Sequence, residues 1–248
     1  MAISTFKRYE KKFLLGEAQY RAILPEIMKH MREDEFCKNG KEYGICNIYY
    51  DTEDSSVIRH SLSKPYYKEK LRLRSYGAIV SPNSKVFLEL KKKIGGVVCK
   101  RRAVLKLNEA IQFIEHGIRP ENLDYINTQV LNEIDFYLQN NPVKPASYIS
   151  YDRTAMFGKE ASDFRITFDR NIITRRDHLS LEYGRFGREL IEPGSYLMEI
   201  KVSNAFPIWL ANLLSENHIY MSGFSKYGQE YNQNLQRESS DYRLQQAV

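Results

Sequence analysis

Charged and apolar residues alternate along one segment after another, the period of two expected of strands with unlike faces. Residues 6–15 alternate in this way and stop at Gly16. The same reading predicts strands over 43–52, 68–76, 85–94, 97–106, 146–157, 163–173 and 195–202, and a short last strand over 222–228. Gly95-Gly96 separates two of these runs and reads as a tight hairpin turn. Helical spacing replaces the alternation in four places. Tyr20, Ile23, Leu24, Ile27 and Met31 give a helix over 17–31, with Pro25 inside it. Asn108 is the expected cap of a helix carrying Ile111, Ile114 and Ile118, with Gly117 near its end. Leu123, Ile126, Val130, Ile134 and Leu138 mark a helix over 121–140, and Leu210, Leu213 and Leu214 mark one over 206–217.

The charges share faces. Arg8, Glu10 and Lys12 oppose Tyr9, Lys11 and Phe13. Lys68, Lys70, Arg72 and Arg74 oppose Leu71 and Leu73, and Glu89, Lys91 and Lys93 oppose Leu88 and Leu90. Arg165, Thr167 and Asp169 oppose Phe164, Ile166 and Phe168. Glu199 and Lys201 oppose Met198, Ile200 and Val202, while Tyr151 shares a face with Arg153. One such strand is an ordinary sheet with a solvated face. A succession of mostly basic faces is harder to explain that way. Same-face neighbours lie ~7 Å apart, where two like charges cost roughly 2 kcal/mol at an effective dielectric of 20. Inside a closed barrel that repulsion accumulates unless a polyanion occupies the lumen. Glu10, Glu89, Asp169 and Glu199 sit among these cations. Cross-strand ion pairing explains some of them; a divalent cation bridging to phosphate explains others, with Glu199 the first candidate and Glu10 the second.

Composition agrees without deciding. The chain has 248 residues, 42% of them apolar, with 18 tyrosines and 12 phenylalanines that suit strands. The formal charge of +6 is compatible with an anionic partner. No internal repeat or compositional break divides the chain, so one domain over 1–228 with a polar tail over 229–248 is expected. Cys37, Cys46 and Cys99 form no C-x-x-C pair, which argues against a zinc site or a disulfide framework and for a reducing cytoplasm. The first 15 residues are too charged for a signal peptide, and no apolar run approaches the ~20 residues of a membrane span. The histidines show no ligand spacing, and no G-x-x-x-x-G-K-[ST] loop is present, which argues against a P-loop site.

Several short runs occur in a telling order: Arg8-Tyr9-Glu10-Lys11-Lys12-Phe13, Lys70-Leu71-Arg72-Leu73-Arg74, Phe87-Leu88-Glu89-Leu90-Lys91, Tyr151-Asp152-Arg153, Phe168-Asp169-Arg170, Met198-Glu199-Ile200-Lys201 and Ser225-Lys226-Tyr227. In this order the chain resembles the triphosphate tunnel metalloenzymes, a CYTH-like superfamily, and within it the VTC-type polyphosphate polymerase domain. The resemblance implies an α+β, mainly β fold: a closed eight-stranded antiparallel tunnel with helices outside. It also implies synthesis of inorganic polyphosphate from a nucleoside triphosphate such as ATP, with Mn²⁺ or Mg²⁺. Matching positions make Arg72, Arg74, Lys91, Arg153 and Lys226 the catalytic cations. Lys12, Lys201, Tyr151 and Ser225 become substrate contacts, joined by Lys70, Lys93, Lys100 and Arg165 from the same basic faces. Glu199 and Glu10 become metal ligands.

The superfamily's opening Glu-x-Glu-x-Lys is Arg8-x-Glu10-x-Lys12 here, a more basic strand that fits the polymerase branch better than the hydrolytic one. The chain is short for the regulatory domain or membrane segments of the fungal complex, so a membrane or regulatory partner protein is left open. The alternatives are an inorganic triphosphatase or nucleotide phosphohydrolase using the same clamp, and a non-catalytic module that binds polyphosphate or nucleic acid. Tyr66, Tyr67 and Tyr76 could stack bases. Carboxylates on the binding face oppose a nucleic-acid backbone, and no nucleic acid is expected.

Overall fold

The computed structural model describes residues 9–37, 40–77, 80–161, 163–203 and 205–246. One ten-stranded sheet dominates it. Its main path begins with β1 (Tyr9–Leu15) and runs through β10 (Tyr196–Val202), β8 (Arg165–Arg175) and β7 (Lys144–Gly158). It continues through β3 (Tyr43–Asp51), β4 (Tyr67–Tyr76), β5 (Lys85–Ile94) and β6 (Val97–Lys106). All neighbours are antiparallel. Short β2 (Met31–Glu33) pairs with β7, and β9 (Arg188–Glu189) with β8. Gly95 and Gly96, both with positive φ, make the β5–β6 hairpin turn.

Eight of the nine expected strands form a curled sheet. Its two end strands, β1 and β6, share no hydrogen-bonded ladder among the described residues. The curl is nonetheless deep: Glu10 on β1 and Lys91 on β5, close to opposite ends of the strand order, come within 3.8 Å. Side chains therefore meet across the inside of the sheet where backbone bonds do not.

Alternation decides which face goes where. Ile48, Leu71, Leu73, Leu88 and Leu90 bury against α3 (Leu107–His116) and α4 (Tyr125–Asn140). Phe13, Ile166, Phe168, Met198 and Ile200 bury against α1 (Glu17–His30) and α5 (Ile208–Glu216). Each fully buried Leu, Ile or Phe contributes about 1.5–3 kcal/mol, so the helices hold the apolar face outward with a large driving force. The charged face is left to line the interior.

Some local expectations change. Helix α3 begins at Leu107 and not after Asn108, because Glu109 reaches back to accept from the Lys106 N–H at 2.9 Å. Gly117, at φ 69°, ends it. Helix α4 starts after Asp124, whose side chain accepts from Asn127 N–H. Helix α2 (Ser56–Leu62) was not foreseen. No strand forms over 222–228: Met221 makes one isolated bridge to Phe13, and Lys226 opens α6 (Lys226–Gln246). Ser225 Oγ accepts from Gly228 N–H at 3.3 Å, as an N-cap does.

Helices α2 and α6 cover one end of the curled sheet. There Ile45, Ile58, Ile149, Leu197, Tyr227 and Tyr231 form a third apolar cluster. Asp51, fully buried at the end of β3, ties the parts together. It accepts from the N–H groups of Thr52, Val57 and Ile58, and from Tyr227 Oη at 2.7 Å. Asp51→Ala orphans all four donors and should lower stability by about 3 kcal/mol, and Tyr227→Phe by about 1 kcal/mol. Urea unfolding measures both; an Asp51→Ala loss no larger than that of Tyr227→Phe would show that the helix-capping bonds carry no weight.

Candidate functional site: a cationic lumen

Two carboxylate centres organise the inner face. The first is Glu89 on β5, fully buried and in register with Arg72 on β4 and Arg102 on β6. Arg72 Nε donates to it at 2.6 Å, and so does Arg102 Nε. Lys100 lies 3.5 Å away and Arg74 3.9 Å away. Burial pushes the Glu89 carboxyl up, but Arg72, Arg74, Lys100 and Arg102 outweigh it and hold the group ionised far below the usual carboxylate range. Arg74 gains two neutral partners, donating to Asn47 Oδ1 at 2.8 Å and Tyr151 Oη at 3.1 Å.

The second centre is the pair Glu199 and Asp169. Arg153 forks onto Asp169 at 2.6 and 2.7 Å, and Lys226 donates to the same carboxylate at 2.5 Å. Lys226 is also 3.4 Å from Glu199, as is Lys12; Lys201 is 3.7 Å from it. Glu10 completes the group, 3.4 Å from Lys12 and 4.0 Å from Lys201. Burial raises the Glu199 carboxyl, yet Lys12, Lys226, Lys201 and Arg153 together drive it well below its ordinary value.

The remaining lysines of this face are shifted by burial. Lys91 and Lys100 keep 41% and 43% of their side-chain surface accessible. Burial among protein atoms nevertheless pulls both below the ordinary lysine value, Lys100 to about 8. Lys70 is pushed down to about 7, first by burial and then by Lys68, Lys91 and Lys12. Burial also brings Lys201 down to about 8, against the pull of Glu199 and Glu10. At the covered end, Lys68 Nζ donates to Ser61 O at 2.8 Å, and Tyr227 stacks on Tyr49 with centroids 4.8 Å apart.

The VTC domain's family profile matches residues 7–234. The chain belongs to the VTC domain family. No curated protein matches it. Among solved structures it is similar to a proposed adenylate cyclase from Bacillus halodurans, with TM-score 0.53 and 13% identity, over 88% of this chain and 95% of that one. It is also similar to a proposed adenylyl cyclase from Hippeastrum, described as having a dominant triphosphatase activity. That match has TM-score 0.51 and 18% identity, over 88% of this chain and 92% of the other. Both likenesses place this VTC domain in the CYTH-like tunnel fold.

Within that fold the structure brings together most of the residues singled out from the sequence. Arg72, Arg74 and Lys100 surround Glu89; Lys12, Lys91, Arg153, Lys201 and Lys226 surround Glu10, Asp169 and Glu199. Tyr151 supports Arg74. Lys70 lies between these groups and Tyr227, its ammonium 5.8 Å from that ring, and Lys93 pairs in register with Lys68 near the β5–β6 turn. Two residues make contacts outside these groups, although Arg165 is in register with Lys201 on the same face. Ser225 caps α6, and Arg165 reaches Asp34 at 3.5 Å while lying over Phe157. Arg102, Asn47 and Tyr49 were missed. Arg102 sits two residues beyond Lys100 on the same face and could have been read. Asn47 and Tyr49 carry no charge pattern that would mark them.

The resemblance drawn from the sequence implies a divalent metal. Among the described residues no three His, Cys, Asp or Glu side chains group closely enough to hold one alone. Glu10 and Glu199 do converge on the Lys12 ammonium, each at 3.4 Å. Mg²⁺ and Mn²⁺ are commonly held by one or two carboxylates, with phosphate oxygens and water completing the shell. The donors fit an ion shared with a phosphorylated substrate.

Lys70 yields a pH signature. Its folded value of about 7 lies below the 10.5 of an ordinary lysine, so its charged form opposes folding. That cost is complete below pH 7 and shrinks as pH rises towards 10.5, because the unfolded chain then retains a proton that the folded one lacks. Lys70→Met should therefore stabilise the ligand-free protein by on the order of 1 kcal/mol or more at pH 6, and by less at pH 9. Denaturation curves at the two pH values test this. A gain that grows with pH would reverse the sign and remove Lys70 from the enclosed face.

Proposed function

We propose that this VTC domain is a metal-dependent phosphoryl-transfer enzyme that binds a nucleoside triphosphate such as ATP in the lumen. We further propose that it passes the terminal phosphoryl group to a polyphosphate chain. The observation that carries the reading is the imbalance of charge inside the enclosure. Among the described residues, Lys12, Lys70, Arg72, Arg74, Lys91, Lys100, Arg102, Arg153, Lys201 and Lys226 outnumber the carboxylates beside them, Glu10, Glu89, Asp169 and Glu199, with Asp51 acting on Lys70. Such an excess is stable when a polyanion neutralises it.

The chemistry asks for alignment and charge compensation more than for covalent help. Arg72 and Arg74, on one face of β4, present guanidinium forks that match phosphate oxygens bidentately. Their present partners, Glu89, Asn47 and Tyr151, hold both side chains in place before substrate arrives. Lys91, Arg153 and Lys226 supply further positive charge around the transferring group, and Lys12 and Lys201 flank it. A metal bound with Glu199 and Glu10 would supply additional neutralisation of phosphate charge. In the transfer, a terminal phosphate oxygen of the acceptor chain forms the new P–O bond to the γ-phosphorus. The bond to the β-phosphate bridging oxygen breaks, and the nucleoside diphosphate leaves with that electron pair.

Water in place of the acceptor would give free phosphate. The Hippeastrum protein with dominant triphosphatase activity shares the fold, which is the observation that favours this second reading. Incubation of purified protein with ATP and Mn²⁺ or Mg²⁺ separates the two. Polymer on a gel, with one nucleoside diphosphate per phosphate incorporated, is the expected result; free phosphate without polymer would establish hydrolysis. Glu199→Gln and Arg74→Ala should each lower kcat/KM by on the order of 100-fold. Unchanged turnover with unchanged metal dependence in Glu199→Gln would remove Glu199 from the metal site.

A further inference from the structure

The lumen changes character at the end away from α2 and α6. On β4 the inward positions run Lys68, Lys70, Arg72, Arg74 and then Tyr76, the last residue of the strand. Rings also stand beside cations across the neighbouring strands. Phe87 is in register with Arg74, and Tyr43, the first residue of β3, with Arg153. These aromatics touch in a row. Phe36 and Tyr43 have centroids 6.2 Å apart, Tyr43 and Tyr76 6.0 Å, and Tyr76 and Phe87 5.3 Å. Guanidinium groups border the row: Arg102 lies 4.5 Å over the Phe87 ring and donates to Tyr76 Oη at 3.4 Å. Although they sit among polar neighbours, Tyr76 and Phe36 remain 43% and 67% exposed.

A lumen meant only for inorganic phosphate chains gains nothing from an aromatic rim, because ring faces are electronegative and do not attract phosphate. A planar, weakly polar group attached to a triphosphate gains from both parts. We infer that this rim, with Tyr76 at its centre, seats the nucleobase of a nucleoside triphosphate by stacking while the phosphates enter the cationic lumen. The inference rests on the phosphoryl-transfer reading above and adds how the nucleoside is told from bare triphosphate. Spacing supports it. Arg74 follows Tyr76 by ~7 Å along β4 and Arg72 by ~14 Å, leaving room for the ribose between base and phosphate clamp. The Tyr43–Tyr76 gap of 6.0 Å is too narrow to sandwich a base, so the base lies on the accessible face of Tyr76. Stacking of this kind tolerates different bases.

The test compares ATP with inorganic triphosphate, each with Mg²⁺, by titration calorimetry on wild type, Tyr76→Ala, Tyr76→Phe and Phe36→Ala. Tyr76→Ala should lower the ATP-to-triphosphate affinity ratio about five- to a hundred-fold. Tyr76→Phe, which keeps the ring and loses the hydroxyl contact to Arg102, should retain the wild-type ratio. Phe36→Ala changes a highly exposed side chain, and should shift the ratio in the same direction as Tyr76→Ala should that variant fail to fold. A ratio indifferent to Tyr76, or equal weakening of both ligands, overturns the rim and leaves the lumen intact. Wild-type protein that binds neither ligand overturns the phosphoryl-transfer reading itself.

Discussion

Repulsion between cations confined to one enclosed face is the constraint on which the structure turns. Two like charges 4 Å apart at an effective dielectric of 20 cost about 4 kcal/mol. A sheet that curls its lysines and arginines inward must offset many such terms. It does so with a few deeply placed carboxylates, each serving several cations. Glu89 serves Arg72, Arg74, Lys100 and Arg102, and Glu199 serves Lys12, Arg153, Lys201 and Lys226. Neutralisation is incomplete at Lys70, which burial first and then Lys68, Lys91 and Lys12 push below its ordinary value. The same residual charge that strains the ligand-free protein is what attracts a polyanion.

The two ends of the lumen answer this constraint differently. At one end Tyr227, Tyr231 and Ile58 bring an apolar cluster up to the charged face, and Asp51 fixes α2 and Tyr227 to β3. Lys226 enters from the same helix and neutralises Asp169 and Glu199. Helix α6 is thus both a cover and a donor of charge. At the other end the cations give way to Tyr43, Tyr76 and Phe87. The strands alone define the direction from ring to cation to cover.

Much of this was legible in the sequence because a strand's period of two fixes faces without knowledge of partners. Arg72 with Arg74, Glu89 with Lys91, and Glu199 with Lys201 could each be placed together from spacing alone. What the pattern could not supply is the third dimension. Whether the sheet's ends join depends on twist and side-chain packing, and here β1 reaches β5 through Glu10 and Lys91, while β1 and β6 share no backbone ladder among the described residues. Residues 222–228 read as a strand because so short a run does not show a helical period. The Ser225 cap and the tertiary anchor of Tyr227 on Asp51 settle it as helix. Asp51 looked like the end of a strand; its worth comes from donors up to Tyr227, far along the chain.

Charge spacing also bears on what the proposed transfer would build. The inward cations Arg74, Arg72, Lys70 and Lys68 occupy successive same-face positions of β4, a ladder of ~20 Å. Lys91 and Lys93 run beside it on β5, in register with Lys70 and Lys68. A triphosphatase needs positive charge around one triphosphate and derives no benefit from lysines that repel one another beyond it. Keeping Lys68 and Lys70 below their ordinary values is a standing cost to the ligand-free fold, with burial first and neighbouring lysines next among the causes. A longer phosphate chain, lying along β4 and β5 past the arginines, would convert that cost into binding. Under the proposed transfer, the ladder gives a polymeric anion more cations to contact than a single triphosphate meets.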